Sequence, residues 1–406
     1  MDGREQRGLE IAATKKLHQK GDLWIVPSQA GKGTYVVDPT AVAPTCSCPD
    51  FEERLEKCKH VYAVEFVVQR ETKTKAGTVT ETLRVTYRQE WSAYNAAQTH
   101  EKERVAVLLH DLCAAIDNPA QGRGRPRLPF SDSIFCAVMK VYGGASGRRT
   151  QTDLRDFAAK GYIDRAPHYN SVFNAFENPD LTNILHAMIE ESAKPLAAVE
   201  TDFAVDSTGF STSEYRRWYS EKYGREKTAA IFLKAHCSVG TRTNIVTAVE
   251  VTDSATHDVH MFRPVFERTA RRFKITRISA DKAYSSSRIN ALVVNAGAQS
   301  FIPFKKNSTG RMPNRFYPER TRNLWAQAFH LFMYRRDEFL AHYHKRSNVE
   351  TTFSMIKAKF GSRIRSKTPV AQVNEILCKV LCHNLCCLVS AFYELGIEST
   401  FWQQSA

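Results

Sequence analysis

No uninterrupted apolar run in this 406-residue chain approaches the roughly 18 residues needed to span a bilayer, and the opening Met1-Asp2-Gly3-Arg4-Glu5 lacks the apolar stretch of a secretory signal. Neither membrane insertion nor secretion is expected. Acidic residues are in short supply: 43 Asp and Glu face 57 Lys and Arg, giving a formal charge of +14 and a pI near 9.3. That imbalance points to a polyanionic partner, because neutralising phosphates with Lys and Arg releases condensed counterions. Nucleic acid is the obvious candidate. Ten cysteines in a chain of this length read as reduced thiols plus a metal site, not as a disulfide framework, which suggests a cytosolic compartment. The 43% hydrophobic content is ample for a packed core in two or three domains, and no internal repeat is apparent.

The chain divides by character. Residues 1–70 begin with Leu23-Trp24-Ile25-Val26 and Thr34-Tyr35-Val36-Val37, which flank the turn-forming Ala30-Gly31-Lys32-Gly33 and predict a hairpin. Residues 71–117 hold an alternating stretch, 80–87, then a helical one centred on residues 105–109. A Gly, Pro and Arg-rich linker covers 118–130. Residues 131–195 are helical, with breaks at Gly143-Gly144 and Gly161 and an end near Pro195, a pattern compatible with helix-turn-helix packing in a helical DNA-binding domain. In residues 196–395 the pattern turns to strands at 203–206, 231–239, 245–251, 278–281 and 300–304. Ile289, Leu292, Val293 and Ala296 between the last two mark a helix that Ser286 or Ser287 can cap and Gly297 can end. Helices follow to about 395, then a tail, 396–406. Hairpins, a crossover helix and late helices fit a central mixed sheet covered by helices.

Three acids stand out: Asp206 after Phe203-Ala204-Val205, Asp281 after Ile278-Ser279-Ala280, and Glu350 after Tyr343-His344-Lys345-Arg346-Ser347-Asn348-Val349. Carboxylates brought together from separate elements can hold two hard divalent cations, the usual means of cutting and rejoining phosphodiesters. Asp202 lies on the same side of the first strand as Asp206 but precedes the apolar run, which favours Asp206. Tyr343, Arg346, Glu350 and Lys357 are offset by 0, 3, 7 and 14 residues. At about 100° per residue they share roughly a 60° arc of one helix, along about 21 Å. From Lys345 to Lys367 seven Lys or Arg surround a single acid, Glu350, an environment that holds a carboxylate ionised. Read blandly, this is a solvated basic helix with an internal ion pair.

The pattern Tyr343-x2-Arg346-x3-Glu350-x6-Lys357, met without departure, resembles the signature of the YREK-bearing group of bacterial insertion-sequence DDE transposases. Asp206 in Val205-Asp206-Ser207-Thr208-Gly209-Phe210 and Asp281 in Ala280-Asp281-Lys282-Ala283-Tyr284 resemble that family's first and second acids, and the likeness spans about residues 125–395. It implies an RNase H-like α/β catalytic domain, a mixed sheet flanked by helices, preceded by a small zinc-binding ββα module and a helical domain. It further implies that Asp206, Asp281 and Glu350 ligate two Mg²⁺ or Mn²⁺ ions, that Tyr343, Arg346 and Lys357 contact phosphates, and that a freed 3′-hydroxyl attacks target DNA. Double-stranded DNA, both transposon ends and target, is the implied partner, bound by a homodimer or higher multimer in a prokaryotic cytoplasm on the nucleoid. The likeness also places a His-Asp pair near His257 and Asp258, although a short polar run such as 252–258 more often forms turns and helix caps.

Cys46-Ser47-Cys48 and Cys58-Lys59-His60 supply four soft or borderline ligands, the number tetrahedral zinc prefers. Two residues apart diverge by about 200° on a helix, so Cys58 belongs just before a helix and His60 on its first turn, with residues 61–68 packed behind. The layout resembles a SWIM zinc finger and implies one structural Zn²⁺. Arg123-Gly124-Arg125-Pro126 and Arg127 resemble an AT-hook, slim and cationic enough for a minor groove, or else form a flexible basic linker. Trp218 lies where aromatics and cations interleave over residues 215–225, a pattern suited to base stacking or to plain packing. Cys378, Cys382 and Cys386 recur every four residues in a helical pattern and read as core beside His383 and Cys387. Two other classes share the positive charge. A catalytically silent regulator derived from a transposase has no need of the three acids, and an RNase H-like cellular nuclease has no need of end recognition.

Overall fold

The computed structural model describes residues 3–15, 17–20, 23–28, 33–39, 44–65, 67–75, 78–85, 91–118, 123–124, 127–212, 222, 232–311 and 318–402. Trp218 and Arg125 lie outside them. The chain separates into two compact units, Met1–Trp91 and Ser92–Ala406.

The smaller unit opens with helix α1 (Gly3–Thr14), followed by β1 (His18–Lys20), β2 (Leu23–Pro27), β3 (Thr34–Asp38) and β4 (Thr45–Cys46), an antiparallel sheet in chain order. The expected hairpin is β2–β3, with Trp24 opposite Val37 and Val26 opposite Tyr35. Period-two alternation turns Trp24, Val26 and Val37 inward onto Ile11, Ala12, Val61 and Val64. Two short helices, α2 (Pro49–Arg54) and α3 (Lys59–Glu65), follow. Helix α1, which sequence patterning did not anticipate, lies close against α3. A Cβ on Gly8 would come within 2.6 Å of Tyr62 Cβ and 2.8 Å of the Lys59 carbonyl, so glycine permits the approach. A second hairpin, β5 (Val67–Lys75) with β6 (Thr78–Val85), completes the unit.

The larger unit begins with α4 (Trp91–Cys113), α5 (Phe130–Gly143), α6 (Gly147–Ala159), α7 (Tyr169–Glu177) and α8 (Asp180–Ala193). Breaks fall where the glycines predict: Gly144 and Gly161 adopt φ of 62° and 78°. Strands β7 (Asp202–Ser211), β8 (Phe232–Gly240) and β9 (Val246–Asp253) run antiparallel. Helix α9 (Asp258–Ala270) leads to β10 (Arg277–Ala280), helix α10 (Ser287–Asn295) to β11 (Gln299–Phe301), and helices α11 (Glu319–Tyr334), α12 (Arg336–Tyr343), α13 (Ser347–Phe360) and α14 (Pro369–Leu395) follow. The sheet order is β11-β10-β7-β8-β9, with β10 and β11 parallel to β7, the mixed α/β arrangement expected.

Alternation along β7 sorts its residues between two cores. Phe203 and Val205 pack with Phe262, Val265 and Ile289 on the α9 and α10 face. Ala204 and Phe210 pack with Val349, Phe353 and Ile356 of α13 and with the α14 side. Helix α14 has the length and apolarity to cross a membrane, yet 78% of its apolar window is buried inside the protein. Its polar residues work inward. Asn384 accepts from Val246 N–H at 2.9 Å and donates to the Val246 carbonyl at 2.7 Å, while Lys379 donates to the carbonyls of Gly361 and Arg363. Cys378 and Cys382 are fully buried core residues, as their spacing suggested, and all ten cysteines are free.

Candidate active site

Strand register brings the first two acids together. Val205 pairs with Ala280 in the parallel β7–β10 ladder, so Asp206 and Asp281 occupy the next position on neighbouring strands. Asp206 continues the Ala204 side of β7, which faces α13. Its Oδ1 accepts from Ser207 N–H at 2.8 Å, and Asp281 accepts from Lys282 N–H at 2.6 Å as the cap of a 3₁₀ turn, Lys282–Tyr284.

Glu350 arrives on α13, which is fastened to the sheet at both ends. Asn348 donates to the Thr241 carbonyl and Thr352 to Asn244 Oδ1 at 3.2 Å; beyond the helix, Ser211 N–H donates to Ser362 and Ile364 N–H to Ser211. Arg346 joins the acids: one guanidinium nitrogen donates to Asp206 Oδ2 at 2.7 Å, another to Glu350 Oε1 at 2.6 Å. Burial pushes the Asp206 carboxyl above its ordinary value, and the charges of Asp281 and Glu350 add to the rise. Ser207 N–H and Arg346 pull it back only in part. The three carboxylates do not close into a group with all ligand oxygens within 4.8 Å of one another; Arg346 bridges Asp206 and Glu350 instead.

The expectation of one continuous α-helix from Tyr343 to Lys357 is corrected. Tyr343 ends α12, Arg346 closes a 3₁₀ turn (His344–Arg346), and only Glu350 and Lys357 lie on α13. Tighter winding through the turn breaks the 100° step on which the shared arc depended. Arg346 still reaches Glu350, and its guanidinium lies 5.8 Å from the Tyr343 ring centre. Lys357 sits 5.6 Å from the centre of Phe210, and burial lowers its pKa. Asp202 opens β7, four residues before Asp206, and is paired with Lys345 at 2.8 Å and Arg277 at 3.2 Å.

On the opposite face of β7, Ser207 Oγ donates to Asp258 Oδ2 at 3.1 Å, and Lys234 donates to Asp258 Oδ1 at 3.1 Å and to the Thr256 carbonyl at 2.9 Å. His236 Nδ1 lies 3.8 Å from the same carboxylate. Sequence reasoning reaches Asp258 but misses Lys234 and His236, although polar residues alternating inside an otherwise apolar strand are a visible signal. His257 caps α9 and makes no such contact among the described residues. The hydroxyl of Tyr284 is buried with no hydrogen-bond partner among the described residues.

The smaller unit holds the second centre. Cys46 ends β4, Cys48 precedes α2, Cys58 precedes α3 and His60 lies on its first turn, as spacing predicted. Their ligand atoms all lie within 4.8 Å of one another and are buried; among the described residues no other group of three or more such side chains closes this way. His60 Nδ1 is 3.8 Å from Cys46 Sγ and 3.9 Å from Cys58 Sγ, near the roughly 3.6 Å edge of a Zn–S/Zn–N tetrahedron. The Cys58 thiol is lowered to about 3, first by a hydrogen bond from Cys46 and further by His60 and Val61 N–H, against its burial. Donor set and spacing fit one zinc ion with no open position.

Residues 198–385, which include Asp206, Asp281 and Glu350, match the family model of the transposase DDE domain. The chain carries a DDE transposase domain. Residues 35–69, spanning all four thiol and imidazole ligands, match the SWIM zinc finger. No curated protein matches the sequence. Among solved structures, this chain is similar to a piggyBac transposase in a cryo-EM synaptic complex with hairpin DNA, at 10% identity and a TM-score of 0.37, over 76% of this chain and 77% of that one. That domain supports a DNA-cleaving transposase activity and implies the use of divalent metal.

Proposed function

We propose that the protein binds the ends of its own mobile element and catalyses strand cleavage and transfer through Asp206, Asp281 and Glu350. The observation that carries this reading is Arg346 spanning Asp206 and Glu350 at 2.7 and 2.6 Å, with Asp281 beside Asp206 on the adjoining parallel strand. Two Mg²⁺ or Mn²⁺ ions held by these carboxylates would activate a nucleophile and stabilise the leaving oxygen. Arg346 keeps the first and third carboxylates in place, and its fork of donors also matches a phosphate bidentately. Tyr343 braces that guanidinium. Lys357, set against Phe210, brings a cation to the C-terminal end of β7, beyond Asp206. In the smaller unit Cys46, Cys48, Cys58 and His60 hold a structural zinc ion that shapes an end- or partner-recognition surface.

Arg123, Arg125 and Arg127 would follow a minor groove, with Trp218 stacking near the cleavage point. A homodimer or higher multimer on paired ends, in the cytoplasm on the nucleoid, completes the reading. The test is a Mg²⁺-dependent nicking assay on duplex DNA carrying the sequences that flank the coding region. Asp206→Asn, Asp281→Asn and Glu350→Gln should each abolish cleavage while duplex binding persists; cleavage at the wild-type rate by Glu350→Gln would refute the assignment.

A further inference from the structure

The helical part of the larger unit carries a groove that the carboxylate centre does not use. Arg148, Gln151, Thr152 and Arg155 recur at i, i+3, i+4 and i+7 on α6, one face of a 3.6-residue period, while Thr150, Leu154 and Phe157 are buried on the other. His168 and Tyr169, where α7 begins, complete an open groove of about 620 Å³.

Its walls are held in place. Gln151 donates to the Pro167 carbonyl at 2.9 Å and accepts from Tyr169 N–H at 3.2 Å, tying the start of α7 to α6. A Cβ on Gly147 would come within 2.4 Å of the Phe173 ring, so glycine lets the two helices close up. The guanidinium of Arg148 lies 5.8 Å from the Tyr169 ring centre.

Charge supplies the second argument. The acids of α6 are already matched, Asp153 with Lys102 at 3.2 Å and Asp156 with Lys160 at 3.2 Å. Neither Arg148 nor Arg155 pairs with a carboxylate among the described residues, and both are exposed. Asn170, Ser171 and Asn174 on α7 are exposed as well. Arg365, in the loop after α13, donates to the Gly144 carbonyl at 2.5 Å, which fastens the segment following the third acid beside the start of α6.

We propose that this groove docks duplex DNA: Arg148 and Arg155 take backbone phosphates, while Tyr169, Asn170 and Asn174 face the base edges, where Asn suits adenine. The inference rests on reading the chain as a DNA-acting enzyme and adds a contact surface apart from the cleavage centre. The test is fluorescence anisotropy of the full-length protein with a labelled 30-base-pair duplex of random sequence, across a salt series. Each phosphate contact contributes about 0.9 to the slope of log K against log salt, so Arg148→Gln with Arg155→Gln should flatten the slope by about 1.8 and weaken binding about tenfold or more at low salt. Arg148→Lys with Arg155→Lys should restore most of the slope. Wild-type binding with an unchanged slope in the double Gln variant would overturn the groove and leave the cleavage assignment standing. Failure of the wild type itself to bind the duplex would overturn both.

Discussion

Replacing Asp206 by Asn tests whether the centre is a cation site that strains the metal-free fold. The Asp206 side chain is 21% exposed, and its carboxyl is raised chiefly by burial, then by Asp281 and Glu350, with Ser207 and Arg346 offsetting only part. In the unfolded chain the same group titrates normally. Stability from this group is therefore present below the unfolded pKa and is lost as pH rises through the higher folded value. Each unit of upward shift costs about 1.4 kcal/mol once the group is ionised. Asn keeps the shape without the charge, so metal-free Asp206→Asn should be more stable than wild type at neutral pH. The difference should close as pH falls into the ordinary carboxylate range. Divalent metal should reverse the order. A ligand that binds only the folded state adds about 2.7 kcal/mol at a hundredfold excess over Kd, and the variant has lost one of three ligands. Thermal melting in chelator and in Mg²⁺ reads both effects, at about 2 °C per kcal/mol for a unit of this size. A variant less stable than wild type in chelator at neutral pH, or one that gains as much from Mg²⁺, would refute the reasoning.

Purified protein should contain one zinc per chain by elemental analysis, and chelation or Cys58→Ser should expose amides of residues 45–65 to hydrogen exchange while nicking persists; absence of stoichiometric zinc would count against the site. Asn384→Ala should cost about 2–4 kcal/mol, read as a lower urea midpoint, because it strands both backbone groups of Val246 in the core. Ser207→Ala should slow cleavage about tenfold and Asp258→Ala at least as much, since Asp258 also holds Lys234; adding Ser207→Ala to Asp258→Ala should cost nothing further, and an additive loss in single-turnover rates would break that link.

What could be read along the chain was whatever depends on local period or short spacing. Asp206 and Asp281 each end an apolar run that a strand's alternation carries into the core, and Asp281 does follow the last residue of β10; β7, however, runs on to Ser211, so Asp206 stands in mid-strand and not at its end as the apolar run suggested. The zinc ligands were readable for a related reason: with Cys58 and His60 two positions apart, only a helix start lets both face one ion. Arg346 was read only in part. Its spacing to Glu350 is local, but its bond to Asp206 crosses 140 residues and exists because the turn before α13 is 3₁₀. The network around Asp258 was hidden more completely. Lys234 and His236 reach it through the β7–β8 register, which sets Ser207 opposite His236, and no property of either residue alone announces that pairing. The same holds for the groove on α6: its helical face was present in the residues, but only packing against Pro167 and Tyr169 makes Arg148 and Arg155 line a cleft instead of decorating a solvated surface. A carboxylate that sequence marks as a ligand therefore acquires its electrostatics from partners that only the fold selects, and removing the Arg346 guanidinium should push the titration of Asp206 further up, leaving the Ser207 N–H to oppose burial.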